Sequence, residues 1–82
     1  MKIIKISAIW CSSCIIMKSR FNEVIKDKNI EVISLDYDID DIDGYNVGEI
    51  LPVFIKIKDN KEIDRLVGEH SIKEIESFVG EE

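Results

Sequence analysis

The chain has 82 residues, 45% of them hydrophobic and 34% charged, with a single proline and no biased tract, which suits one compact core over residues 1–82 and excludes both a second domain and a disordered polymer. Its 17 acidic and 11 basic residues give a net charge of −6, which repels phosphate backbones and anionic lipid surfaces and argues against nucleic-acid and membrane partners. No apolar run approaches the ~20 residues of a membrane span, and the N-terminus has neither the apolar stretch nor the small-residue cleavage site of a secretory signal, so the expected location is the cytoplasm.

Residues 2 to 9 contain Ile3, Ile4, Ile6, Ala8 and Ile9, a β-branched run apolar on both faces, as a covered central strand requires. Immediately after it, Cys14, Met17, Phe21, Val24 and Ile25 recur at three- and four-residue steps with charged residues largely between them, the pattern of an amphipathic helix. Lys26 and Lys28 suit the negative end of its dipole, and Asn29 is its expected end. Residues 31 to 36 are again β-branched and predict a second strand, parallel to the first through a right-handed crossover.

From Asp36 to Ile50 the chain is acidic and weakly periodic around Gly44 and Gly48; loop and one short helix are expected. The aspartates lack the sixth-position glycine and twelfth-position glutamate of a calcium loop, so they read as a solvated face. Val53, Ile55 and Ile57 alternate with Phe54, Lys56 and Lys58, and Asp59-Asn60 then supplies a turn before residues 62 to 67, predicting a β-hairpin. Ser71 with Glu74 three residues on is a capping box, and Ile72, Ile75, Phe78 and Val79 form one stripe of a closing helix. The order β-α-β then β-β-α defines an α/β domain, a four-stranded mixed sheet flanked by helices.

The chemistry lies in Trp10-Cys11-Ser12-Ser13-Cys14. A local cysteine pair in a reducing compartment more often serves redox or metal chemistry than structural bridging. Cys11 falls at the start of the helix, facing unpaired N–H groups and the positive dipole end, a placement that brings a cysteine from ~8.5 into the range ~3.5 to 7.5. Cys14, one turn deeper, is within bridging distance and is the natural resolving thiol. Attack by Cys11 on a substrate disulfide, a mixed disulfide, and attack by Cys14 on Cys11 then make up a reduction cycle. That cycle needs no cofactor besides the Cys11–Cys14 disulfide itself. A zinc site is the competing reading of the spacing, but it wants four ligands and only His70 is a further borderline donor, so no metal is expected. Trp10 reads either as a core aromatic or as a partly exposed ring shielding the sulfurs, and its place beside Cys11 favours the second.

Taken together, Trp10-Cys11-x-x-Cys14 after an apolar strand, Leu51-Pro52-Val53-Phe54-Ile55 leading into a hairpin, and Gly68 before a last helix resemble the thioredoxin superfamily over essentially the whole chain. The resemblance implies spatial strand order 2-1-3-4 with the third strand antiparallel to the first, in a core of glutaredoxin size. It implies that Pro52 is the family's cis-proline facing the dithiol, that Leu51 and Pro52 form a substrate platform, and that Gly68 allows close approach at the substrate groove. Trp10, Ser12 and Ser13 complete the expected substrate surface. The partners it implies are protein disulfides and an unidentified disulfide reductase, with the protein acting as a monomer. A peptide-binding module without catalysis is the alternative.

Three places depart from the family pattern. Lys5, six residues before Cys11, stands where similar thioredoxins often carry a buried acid; it either snorkels to solvent or, if desolvated near the sulfurs, has a depressed pKa and stabilises thiolate. Ser12-Ser13 is neither Gly-Pro nor Pro-Tyr, and Glu69-His70 follows Gly68 in place of a second glycine, so glutathione dependence is not implied.

Overall fold

The computed structural model describes residues 1–80. Strand β1 (Lys2–Ser7) leads through helix α1 (Ser12–Ile25) to β2 (Glu31–Asp36); after a 3-10 turn at Asp43–Tyr45 come β3 (Val53–Lys58), β4 (Lys61–Val67) and helix α2 (Ile72–Gly80). The sheet order is β2-β1-β3-β4, with β1 and β2 parallel and the β1–β3 and β3–β4 pairs antiparallel. These are the elements, order and directions expected from the sequence.

The differences lie at the boundaries. β1 stops at Ser7 because Ala8–Trp10 turn into the helix, the Cys11 N–H donating to the Ala8 carbonyl at 3.2 Å. α1 ends four residues before Asn29, with Lys28 N–H closing a last turn on Ile25 O at 2.9 Å. In the hairpin, Asp59 and Asn60 both take positive φ, 54° and 64°, the backbone twist that a two-residue connection between antiparallel strands needs. Ser71 and Glu74 cap α2 reciprocally: the Glu74 carboxylate accepts from the Ser71 N–H at 3.0 Å, and Ser71 Oγ accepts from the Glu74 N–H at 3.2 Å.

Both helices lie on one face of the sheet, where Met17, Phe21 and Val24 of α1 meet Ile75, Phe78 and Val79 of α2 over Ile3 and Phe54. Phe21 stacks on Phe54 with centroids 4.6 Å apart. Lys56 is on this face too and is only 2% exposed, its Nζ 5.2 Å from the Phe78 ring centroid. Alternation along β3 therefore does not separate a dry face from a wet one, because β3 is central and α2 covers the side that carries its lysine. On the other face Ile4, Ile6, Ala8, Val53 and Ile55 pack with Leu51, Cys11 and Cys14, and no helix covers them; Tyr37, Ile42, Tyr45 and Val47 from the acidic connection do.

Candidate active site

The two sulfurs sit at the junction of these layers. Cys11 is the N-cap of α1 in extended conformation, and its Sγ accepts the Cys14 N–H at 3.2 Å. A thiol thus occupies the place usually taken by a serine or aspartate oxygen, aligned with an otherwise unpaired donor of the first turn. From the other side the Leu51 carbonyl accepts the Cys11 thiol at 3.7 Å. Cys11 and Cys14 are 9% and 6% exposed, and neither is bridged.

Cys14 is held as a thiol. Burial pushes it up to about 11, and its hydrogen bond to Cys11 adds to the rise, while the Ala8 backbone and the charge of Lys5 act in the opposite sense. Lys5, on the helix-facing side of β1 opposite Phe54, is half-buried. Desolvation lowers its pKa first and repulsion by Lys18 second, with Cys14 pulling it back up. Lys5 also lines the recess that opens beside Cys14.

Ser12 and Ser13 open α1, Ser12 exposed and Ser13 partly so. The Leu51–Pro52 peptide is cis, and both residues are buried, Leu51 within the layer that holds the dithiol. Gly68 has φ +84° and donates its N–H to the Pro52 carbonyl at 2.8 Å, which brings the start of the last loop onto the proline; the expected groove glycine is therefore a direct neighbour of the platform. Trp10 is 61% exposed, and its ring has two partners. Its indole N–H donates to Asp38 Oδ2 at 2.6 Å, and it meets Tyr37 edge-on at a centroid distance of 6.2 Å. His70 turns away to Val67 O and Glu74, and among the described residues no group of three or more His, Cys, Asp or Glu side chains could hold a metal ion.

Residues 1–81 match the family model described as Thioredoxin. The chain belongs to the thioredoxin family. Among curated relatives, Thioredoxin H7 of Arabidopsis thaliana is 35% identical over 80 residues, which are 90% of this chain and 61% of that protein. Thioredoxin H-type 1 of Nicotiana tabacum is 33% identical over 69 residues, 80% of this chain and 54% of that protein. The chain thus spans little more than half the length of these thioredoxins. A Fasciola hepatica thioredoxin structure superposes with a TM-score of 0.83 at 26% identity, covering 99% of this chain and 80% of that one. Thioredoxin-2 of the malaria parasite shares the fold alone, at a TM-score of 0.85 and 18% identity over 96% of this chain and 80% of that one.

Within this thioredoxin framework, two features were not foreseen from sequence. Asp38, read as part of a solvated acidic face, anchors the tryptophan. Arg65, read only as a strand residue, clips the connection over the dithiol layer: its guanidinium donates to Tyr45 O at 2.8 Å and Asn46 O at 3.3 Å while paired with Glu62 at 2.7 Å. The aspartates also order their own segment, Asp40 accepting from the Asp36 N–H at 2.7 Å and Asp36 from the Asp38 N–H at 2.8 Å. The Asp36–Asp38 contact is an Asx turn, which the alternating aspartates supply once the segment is known to be a turn.

Proposed function

We propose that this protein is a thiol–disulfide oxidoreductase that reduces protein disulfides, with Cys11 as nucleophile and Cys14 as resolving thiol. The observation that carries the reading is the asymmetry of the pair. Cys11 Sγ caps the helix and receives a peptide N–H, which favours the anion during attack. Cys14, one turn on, is buried and kept protonated, so it waits until a mixed disulfide has formed.

The cycle balances as a two-electron exchange. The Cys11 thiolate attacks one sulfur of the substrate cystine, and the other leaves as a thiol; Cys14 then attacks Cys11, forming the Cys11–Cys14 bond and releasing the second substrate thiol. A disulfide reductase supplies the electrons that reopen the pair. Exposed Ile9, Trp10, Ile15 and Ile50 border the dithiol and the platform in sequence and offer apolar contacts for a polypeptide, alongside Leu51, Pro52, Ser12, Ser13 and Gly68. We infer a cytoplasmic monomer, in support of which the cysteines of these 82 residues are one local, unbridged pair and a dithiol reductant works where surroundings keep it reduced. No helix among the described residues is long and apolar enough to cross a membrane.

The test is reduction of a model protein disulfide in the presence of dithiothreitol. The protein should accelerate it, Cys11→Ser should abolish the acceleration, and Cys14→Ser should accumulate a mixed disulfide. Acceleration that survives Cys11→Ser overturns the assignment, and peptide binding without any acceleration would make the chain a binding module.

A further inference from the structure

The buried resolving thiol poses a kinetic problem. With Cys14 pushed up to about 11, only about one molecule in ten thousand carries that thiolate at pH 7, yet the thiolate is the species that attacks. A recess of about 180 Å³ opens beside Cys14, and the charged side chains lining it are Lys5 from β1, Lys18 from α1 and Asp36 from β2. Cys11 at the N-cap of α1 is the other titratable group facing Cys14, through their mutual hydrogen bond. Asp36 is already engaged, its Oδ1 accepting the Asp38 N–H at 2.8 Å. Lys18 is exposed, whereas Lys5 is half-buried, so of the two cations Lys5 has its field on the sulfur screened less.

We propose that Lys5 is the counter-charge of the resolving step, holding its ammonium in the recess beside Cys14 so that negative charge on that sulfur is stabilised as it attacks the mixed disulfide. This rests on the dithiol-exchange reading and adds a positioning residue to it. In the step, the Cys14 thiol gives its proton to water in the open recess. The Cys14–Cys11 bond forms as the Cys11–substrate bond breaks, and the electron pair leaves with the substrate sulfur, which is then protonated. Both sulfurs of the protein end oxidised and the substrate ends reduced.

Magnitude separates this role from a change of redox poise. At pH 7 the reduced pair holds Cys14 almost entirely as the neutral thiol, so loss of the lysine charge leaves the equilibrium potential at that pH in place. The transition state bears charge on Cys14, so the resolving rate falls. In the resting pair the Lys5 charge is the smallest of the influences on Cys14, but an opposite charge that comes within ~4–6 Å of a titrating group shifts it by about one pH unit or more, a tenfold change in thiolate population.

The experiment compares Lys5→Met and Lys5→Arg in a Cys11→Ser background, where Cys14 is the single thiol, following thiolate absorbance and alkylation rate against pH. Lys5→Met should cut the thiolate absorbance about tenfold at fixed pH and slow alkylation about three- to fourfold, because the more basic thiolate is also the more nucleophilic one, and Lys5→Arg should restore both. In the intact dithiol protein, Lys5→Met should slow release from the mixed disulfide by a similar factor with no change in the potential at pH 7. Lys5→Gln, which keeps a polar tip in the half-exposed recess, replaces Lys5→Met if circular dichroism shows that variant unfolded. A folded neutral variant in which Cys14 titrates as with Lys5 present overturns the proposal. Full activity of Cys11→Ser would instead overturn the reading beneath it, whatever Lys5 does.

Discussion

The two faces of the sheet are closed by different means. On the helix face, α1 and α2 bring six buried side chains onto Ile3 and Phe54, including the stacked Phe21–Phe54 pair. On the opposite face the cover is an irregular, acidic connection whose apolar residues are only partly buried. That connection is held in shape by polar clips: aspartates accepting neighbouring N–H groups, Trp10 bound to Asp38, and Arg65 gripping Tyr45 O and Asn46 O. Both cysteines belong to the second layer, although the helix that carries them drives its next buried residue, Met17, into the first. Stability and chemistry are thereby divided between the faces. Regular packing on one side fixes the helix, and the thinner cover on the other leaves the sulfurs beside Leu51.

The largest expected effect tests that division directly. Phe21→Ala removes a ring that is 1% exposed and stacked in the helix-face core, at a cost of about 3–5 kcal/mol. A chain of this size has total stability on the order of 4–12 kcal/mol, so urea denaturation should show a midpoint lowered by about a quarter or more. Tyr45→Ala, which trims a partly buried ring from the other cover, should cost less than half as much. Equal losses would mean that the connection is as much a structural wall as the helices.

The same division explains what could be read from the sequence. Periodicity marks residues that face a regular neighbour, so Ile3, Met17, Phe21, Val24, Ile75, Phe78 and Val79 announce the strands and helices that carry them. The capping box at Ser71 and the Asp59-Asn60 turn are local chemistry and equally legible. Cys11 and Cys14 stand out through spacing and position, and Pro52 and Gly68 through family likeness. The residues that escape are those whose partners are remote in sequence: Trp10 to Asp38 across 28 positions, and Arg65 to Tyr45 across 20. Lys56 escapes for a different reason. Alternation implies a wet side for β3, and only tertiary placement under α2 makes that side dry.

A smaller effect is expected where the loop face meets the platform. Gly68 adopts φ +84°, and a Cβ there would lie 3.3 Å from Ile50 Cγ2. Ile50 is an exposed side chain that can yield, so the cost of Gly68→Ala is mainly the left-handed backbone, about 1–2 kcal/mol. Because the Gly68 N–H holds Pro52 O, disulfide-reducing activity should fall alongside stability, with the alkylation rate of Cys11 retained. Unchanged stability and activity would show that the contact between Gly68 and the platform relaxes without consequence, and that this edge of the site is not fixed by the glycine.

The smallest effect concerns pH and the clip over the dithiol layer. Hydrogen bonding and charge from Arg65 hold the Glu62 carboxyl below its ordinary range. A carboxylate with a depressed folded-state pKa contributes fully above its unfolded value, near pH 4.3, and its contribution is lost as pH falls through the lower folded value. The pair is largely at the surface, with side chains 24% and 42% exposed, so screening limits the contribution to less than about 1 kcal/mol. Glu62→Gln should therefore cost little at neutral pH and should flatten the stability profile slightly below about pH 4.3 relative to the parent. Arg65→Met should cost more at every pH, since it also frees the Tyr45 and Asn46 carbonyls. If urea midpoints of Glu62→Gln and the parent decline in parallel on acidification, the carboxylate is dispensable and the guanidinium's grip on the two carbonyls alone secures the cover.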